Sequence, residues 1–531
     1  MSIERDDLPP RFFNTTGPCD PERHYMLPPK ERLIDTNLDR LVTNQLYWVL
    51  HAPRQTGKTT FLMSWAKELN AAGRVVACYV SVETCQAVPE PEIAMPAIID
   101  AMQYRAEQQG LPIPPKPAAD LPAQRWLAEC LKQWAKLCAP RPLVLLFDEV
   151  DVLEGPTLVA FLRQLRDGFA GRAVGVFPTS IALVGMRDLR DYLVRSKDGK
   201  PLNPGSPFNI KQQSSSIGCF SRADVHRLFA QRTSERGQTI DENALDLIYD
   251  LTRGQPWLVN ALFQKCIWDL TDDDPTIHLS VDHIQQAKER LILKRAVHID
   301  SLAERLKDPR VQGVIEPIIT GAVIPDLAST DAFRLCQDLG LVSLEGGTPQ
   351  IANPIYREVL ARSLSYSMQL GIPAPEFRWQ TDDNDLDLQA LLTEFQTFWR
   401  WNSEAWEERA DYTEAFPHLL VMAFLQRIVN GGGRIEREYA AGRGRVDLTV
   451  FWQDRIHVIE IKLVHPGKGP DASQAEGLQQ LARYADRLHA TSRCLVLFDR
   501  RTEARARSWE QRLSQETLPD ASGQPVLVVR A

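Results

Sequence analysis

The sequence has no CxxC pair and no Cys/His cluster; its nine cysteines are scattered over 531 residues. That excludes the common zinc modules and a disulfide framework, and it fits a reducing compartment. No run approaches the roughly 20 unbroken apolar residues of a membrane helix. The opening "MSIERDDLPPRFFN" carries acids and prolines where a secretory signal would be basic and then apolar. The expected location is therefore the cytoplasm, with no membrane partner. Positive net charge is also lacking. The formal balance is −8, so a nucleic-acid partner must be met by local basic patches. No Ser/His/Asp or Cys/His hydrolase spacing occurs, the histidines are isolated, and His457 reads as structural.

What is present is a globular composition, 44% hydrophobic and 24% charged, on a chain too long for one core. Residues 1–30 are proline-rich and aperiodic, a leader lying on the first domain. Over 31–215, apolar runs such as "LYWVLHA", "RVVACYVSV", "PLVLLFDEV" and "SIALVGM" alternate with helical stretches. This is the pattern of βαβ units around a parallel sheet buried on both faces. The pattern turns all-helical over 216–297, where "SRADVHRLFAQRTSERG" opens on a Ser-x-x-Asp capping box and stops at Gly237. Residues 298–370 give short helices and a β-wing at "LVSLEGGTPQIAN", a winged-helix-like unit. The acidic stretch 371–394 reads as a linker, and a last domain fills 395–531. In that domain "FQTFWRWNSEAWEE" has aromatics at helical spacing, which favours core over base stacking.

"LYWVLHAPRQTGKTTFLMSWA" runs from a strand through a loop into a helix. Its "APRQTGKT" matches the phosphate loop G-x-x-x-x-G-K-[ST], with Ala52 in place of the first glycine. Gly57 lets backbone N–H groups wrap phosphates, Lys58 reaches the β- and γ-phosphates, and Thr59 ligates Mg²⁺. Ala52, Pro53, Arg54, Gln55, Thr56, Gly57, Lys58, Thr59 and Thr60 thus form the expected nucleotide loop. Further on, "LVLLFDEVD" ends an apolar strand in two acids. Asp148 is placed to hold the Mg²⁺ of ATP, and Glu149 to polarise the attacking water.

"RVDLTVFWQDRIHVIEIK", residues 445–462, reads as a β-hairpin. Strand alternation puts Val458, Glu460 and Lys462 on one face, with Ile459, Ile461 and Leu463 on the other supplying the core. Glu460 and Lys462 lie about 6.6 Å apart along the strand. A two-residue turn at Gln453–Asp454 sets Asp447 opposite Glu460, and one at Asp454–Arg455 sets it opposite Lys462. A three-residue turn would rotate Asp447 away. Two carboxylates can hold a hard cation such as Mg²⁺, and an ammonium beside them can neutralise phosphate charge.

Both constellations resemble known families. "LVGMRDLRDYL" follows a strand where related ATPases carry a γ-phosphate sensor, which the resemblance maps to Arg187. "LTRGQPWLVNAL" resembles the Gly-x-Pro motif of STAND-type AAA-like ATPases, which implies that Gly254 and Pro256 pack near adenine. "SPFNI" is similar to a segment of bacterial AAA-like proteins. "GRGRVDLTVFWQDRIHVIEIK" resembles the PD-(D/E)xK nuclease core, which implies Asp447, Glu460 and Lys462 as its site. The same resemblance maps an additional metal-binding acid to Glu414 and supporting groups to Gln479 and Tyr484. Arg434, Arg437, Arg443, Arg445 and the run "RRTEARAR" (500–507) are candidate phosphate contacts.

The expected fold class is α/β. It combines a P-loop NTPase parallel sheet with a helical lid, a winged-helix-like unit and a C-terminal α/β restriction-endonuclease-like domain. The implied function is an ATPase that controls a Mg²⁺-dependent nuclease acting on DNA, with defence against foreign DNA as the setting the resemblance suggests. Two rival readings stay open: a switch or scaffold whose nuclease fold does not cut, and a DNA-binding regulatory ATPase. A homo-oligomer and a protein trigger stay open as partners.

Overall fold

Leu143–Asp148 is apolar until its last residue because it is a central strand with every residue buried. It is β4 of a six-stranded sheet that also contains β1 (Leu33–Ile34), β2 (Tyr47–His51), β3 (Val76–Ser81), β5 (Ser180–Gly185) and β6 (Lys211–Ile217). The computed structural model describes residues 10–34, 37–118, 120–174, 176–186, 211–293, 302, 304–320, 326–371, 379, 381, 383, 385–407, 420–422, 424–425, 433–441, 444–464, 469–499 and 501–531. The chain divides into two compact units, Met1–Lys294 with Leu335–Leu341, and Arg295–Arg334 with Val342–Ala531.

In the first unit the strand order is β1-β6-β2-β5-β4-β3. Only β1 runs antiparallel to its neighbour. Alternation along β2 splits the core in two, as a pleated strand must. Trp48 and Leu50 face α1 (Leu38–Thr43) and α2 (Lys58–Ala71). Tyr47 and Val49 face the layer of α3 (Pro91–Gln108), α4 (Ala123–Cys138) and α5 (Gly155–Gly168). The parallel sheet buried on both faces is as expected, and β5 lies between the phosphate-loop strand and the acid-bearing strand.

The lid holds α6 (Arg222–Arg236), α7 (Glu242–Thr252), α8 (Pro256–Gln264), a π-helical turn at Lys265–Leu270 and α9 (Val281–Leu293). The expected capping box is present. Ser221 caps α6, Asp224 reciprocates, and Gly237 ends the helix at φ +75°. Gly254, at φ +72°, meets the Phe220 backbone so closely that a Cβ would lie 1.8 Å from its oxygen. No other residue fits there.

The leader proves to be a folded strap. Phe13 stacks among Tyr25, Phe229 and Phe263, and its carbonyl accepts from Gln264 at 2.9 Å. Trp257 Nε1 donates to Thr15 O at 2.8 Å. The Cys19 N–H donates to Thr60 Oγ1 at 3.0 Å. Residues 10–34 thus tie the phosphate-loop helix to the lid.

In the second unit α10 (Pro309–Thr320) packs on β8 (Thr348–Ile351), which pairs with β7 (Val342–Glu345), and on α12 (Pro354–Gly371). Between them in sequence, α11 (Asp331–Asp338) straddles the division of the chain. The last domain carries α13 (Leu388–Glu407), β9 (Gly433–Ala441), β10 (Gly444–Trp452), β11 (Arg455–Val464), α14 (Pro470–Arg487), β12 (Ser492–Asp499), β13 (Ser514–Pro519) and β14 (Pro525–Arg530). The sheet order is β13-β14-β12-β11-β10-β9. β11, β12 and β14 run parallel and the other pairs antiparallel.

Leu481 and Ala485 of α14 pack on Val458, Leu495, Leu497, Val526 and Val528. Phe395 and Trp399 of α13 stack edge-on against Phe498. Both faces of β11 are therefore covered, which corrects the expectation that only the Ile459–Ile461 face supplies core. The aromatic series is core as expected at Phe395, Phe398 and Trp399, but Trp401 is 76% exposed. The acidic stretch is anchored rather than free at Asp385. Its carboxylate accepts from Arg455 at 2.6 Å and lies 3.2 Å from His457 Nε2. His457 is buried, with Nδ1 2.8 Å from Ser492 Oγ, a structural role.

Candidate functional site

The loop between β2 and α2 turns where Gln55 (φ +59°) and Gly57 (φ +92°) adopt left-handed backbone, so that α2 starts at Lys58 with its N–H groups turned to the loop. Ala52 is buried and its N–H donates to Gly185 O at 3.3 Å. A small residue is what this tight exit from the strand needs. Lys58 Nζ folds back onto Ala52 O and Pro53 O at 2.7 and 2.8 Å. Desolvation lowers its pKa to about 8, against the opposing pull of Asp148.

Thr59 Oγ1 donates to Asp148 Oδ2 at 2.7 Å, which joins the two expected metal-binding side chains across the β2–β4 gap. Asp148 is buried, and burial raises its pKa while the Thr59 hydrogen bond and Lys58 pull it down. Glu149 sits at φ +60° and accepts from Ser81 Oγ at 2.9 Å. Burial raises its pKa also.

Arg54, Gln55, Gly57, Lys58, Thr59, Thr60, Ser81, Asp148 and Glu149 line one cavity of about 540 Å³, ample for a nucleotide, while Ala52, Pro53 and Thr56 of the expected loop are not in its lining. Pro256 lines it. Gly254 instead acts one layer behind, by letting the lid backbone meet Phe220. Several lining residues were not foreseen: the strap from Asn14 to Cys19, Tyr25–Leu27 and Arg32, together with Tyr79, Trp257 and Asn260. Arg32 donates to Thr56 O at 2.7 Å and Gly218 O at 3.0 Å, and stacks over Phe220. The leader has no periodicity, so nothing in its sequence marked it as a wall of this cavity.

In the last domain the hairpin turns at Gln453–Asp454, with Trp452 paired to Arg455 and Leu448 to Ile459. Gln453 takes φ +51° to make the turn. This register carries Asp447 to the position across from Glu460. The regular ladder stops at Leu448, and the carboxylate of Asp447 takes the Ile461 N–H at 2.8 Å. Lys462 Nζ donates to Glu460 Oε1 at 2.8 Å. Glu460 is 2% exposed, and its Oε2 has no partner among the described residues. Burial and then the Asp447 charge push Glu460 up to about 7. Burial opposes the charge on Lys462, but Glu460 and Asp447 outweigh it and raise that pKa.

A buried, unpartnered carboxylate oxygen beside a second carboxylate fits a divalent cation. Asp447 and Glu460 would hold it. Among the described residues no group of three or more His, Cys, Asp or Glu converges.

Glu414, Arg187, Arg443, Arg500 and the "SPFNI" segment lie outside the described residues. Arg434, Arg437 and Arg445 lie on β9 and β10. Arg501 is engaged by Asp499 at 2.7 Å, and Arg507 is exposed. On α14, Gln479 is exposed while Gln480 presents a buried Oε1 without a partner among the described residues. The residue turned inward is therefore Gln480, one position on, and it shares a helix face with Gly477 and Tyr484.

The strand order and phosphate loop define a P-loop ATPase fold joined to a second α/β domain with a carboxylate–lysine site. Residues 412–498 match the PD-(D/E)XK nuclease superfamily, so the C-terminal part of the chain is a PD-(D/E)XK nuclease domain. No curated protein matches the chain. Solved structures similar to it include the Walker-type ATPase of Pyrococcus abyssi, at 15% identity and TM-score 0.43, covering 61% of this chain and 93% of that one. Cdc6p from Pyrobaculum aerophilum is 15% identical with TM-score 0.35, covering 62% and 92%. The Thermotoga maritima RuvB Holliday junction branch migration motor is 14% identical with TM-score 0.33, covering 64% and 93%. Among the described residues no helix is long and apolar enough to cross a membrane.

Proposed function

We propose that this chain is a Mg²⁺-dependent deoxyribonuclease whose access to DNA is governed by ATP binding or hydrolysis in its first module. The observation that carries the reading is the meeting of Asp447, Glu460 and Lys462 inside the domain that matches the nuclease superfamily. At the other site Lys58 and Thr59 would hold the phosphates and metal of Mg-ATP with Asp148. Glu149, held by Ser81, is the group that accepts the proton of the attacking water.

In the nuclease site Asp447 and Glu460 bind the cation, which when present lowers the pKa of water and offsets phosphate charge. Lys462 stays protonated and donates to the phosphate as negative charge grows on it. The unit of α10, α12 and the β7–β8 hairpin serves in this reading as the winged-helix-like element and a further DNA contact. The Gly254–Pro256 turn suits a STAND-type lid. Defence against foreign DNA in the cytoplasm is the setting we assign.

The test incubates linear and circular DNA with Mg²⁺, with and without ATP, and compares wild type, Lys58→Ala and Lys462→Ala. Cutting by wild type that is lost in Lys462→Ala, and whose ATP response is lost in Lys58→Ala, supports the proposal. Undiminished cutting by Lys462→Ala refutes the site. Absence of cutting under every condition points to the scaffold.

A further inference from the structure

The nucleotide cavity is lined by two chemically different sets of groups. One is the phosphate loop with Lys58, Asp148 and Glu149. The other is apolar: Leu27, Phe220, Leu228 and Pro256, with the Trp257 indole fixed by its bond to the strap and the Arg32 guanidinium stacked over Phe220. An apolar slot of this kind takes the flat faces of a base but does not tell one purine from another. Discrimination needs a polar group aimed at the base edge.

Among the lining residues Asn260 offers an acceptor, while Tyr25 Oη and Arg32 Nε are also buried without a partner among the described residues. Asn260 lies one turn after Pro256 on the same face of α8, lines the cavity and is 7% exposed. Its Oδ1 is buried and has no hydrogen-bond partner among the described residues. A buried acceptor left unpaired is costly in a packed lid, and a ligand donor would remove the cost.

The carboxamide carries one acceptor and one donor side by side. Adenine presents the complementary pair, the N6 amine as donor and N7 as acceptor. Guanine presents acceptors at both O6 and N7. With guanine held by this same edge the unpaired Oδ1 would face another acceptor, and guanine N1–H would satisfy it only if the base turned its other edge to Asn260. We infer that Asn260 is the base-selecting residue of the nucleotide site and makes it an adenine site, a reading that rests on nucleotide binding at the phosphate loop. The selector sits on the lid rather than the sheet, so only adenine nucleotides draw the lid, the strap and the phosphate loop together.

The experiment measures equilibrium binding of ATP, GTP, purine riboside triphosphate (which lacks the exocyclic amine) and inorganic tripolyphosphate to the full chain. Wild type is expected to bind ATP about ten- to a hundredfold tighter than GTP or purine riboside triphosphate. Asn260→Leu keeps the shape and removes a buried unpaired acceptor, so the lid stays folded. It should bind the three nucleotides alike and tripolyphosphate as wild type does. Asn260→Asp keeps an acceptor for N6 but no donor for N7, and should retain part of the ATP preference. An unchanged ATP:GTP ratio in Asn260→Leu, or an equal loss for all nucleotides, overturns the selector. If neither ATP nor tripolyphosphate binds wild type, the nucleotide site itself falls, and the selector with it.

Discussion

Replacing Glu460 with glutamine should make the nuclease domain more stable while removing its proposed chemistry. The carboxyl is pushed up to about 7 by burial and by Asp447, whereas in an unfolded chain it titrates near 4.3. The folded state therefore binds the extra proton between these values. Stability is greatest at low pH and falls as pH rises through 4.3 towards 7. The full difference would be at most about 3–4 kcal/mol. The attraction of the Lys462 ammonium is already contained in that shift, so no further discount for it applies to the penalty near pH 8. Asn- or Gln-type amides do not ionise, so Glu460→Gln should escape that penalty near pH 8 and behave like wild type near pH 5.

The assay is amide hydrogen exchange of β11 and β12 in the full metal-free chain, comparing protection in the two proteins at each pH. Greater protection of Glu460→Gln near pH 8, by about tenfold or more, supports the reasoning. Equal protection at both pH values, or a larger effect near pH 5, refutes it. Added Mg²⁺ should raise protection in wild type only, and more so as pH rises, because the cation needs the ionised carboxyl.

Other outcomes follow from particular contacts. Gly254→Ala would drive a Cβ to 1.8 Å from Phe220 O at φ +72°, and should destabilise the lid by about 2–4 kcal/mol and weaken nucleotide binding together. Thermal melts with and without ATP read both effects. Gly477→Ala places a Cβ 2.5 Å from Leu495 Cδ1, a mobile methyl, so a smaller loss of about 1–3 kcal/mol is expected, measurable by urea denaturation. Lys462→Ala should lower cleavage by about a hundredfold or more while ATP affinity measured by titration is unchanged. Lys58→Ala should do the reverse to nucleotide affinity, leaving Mg²⁺ binding at the second site intact.

The sequence by itself determined what depends on local spacing and repeat. The apolar runs at 46–52 and 142–150 read as buried strands, and they are β2 and β4, while the Gly57–Thr59 triplet at a helix start read as a phosphate loop. The Ser221–Asp224 box and Gly237 fixed both ends of α6, because capping is chemistry within one turn. Period-two alternation likewise put Glu460 and Lys462 on one face. What it left open was any contact between distant segments. Whether Asp447 joined them hung on one residue of register, which the turn at Gln453–Asp454 decided. The helix α14 buried the face that alternation alone would leave to solvent, and that burial raises Glu460. The aperiodic leader became a wall of the nucleotide cavity because Phe13, Trp257 and Gln264 tie it down. Asn260 had no local signal at all. Its meaning comes from a buried oxygen that has no partner among the described residues, and only the folded lid creates one.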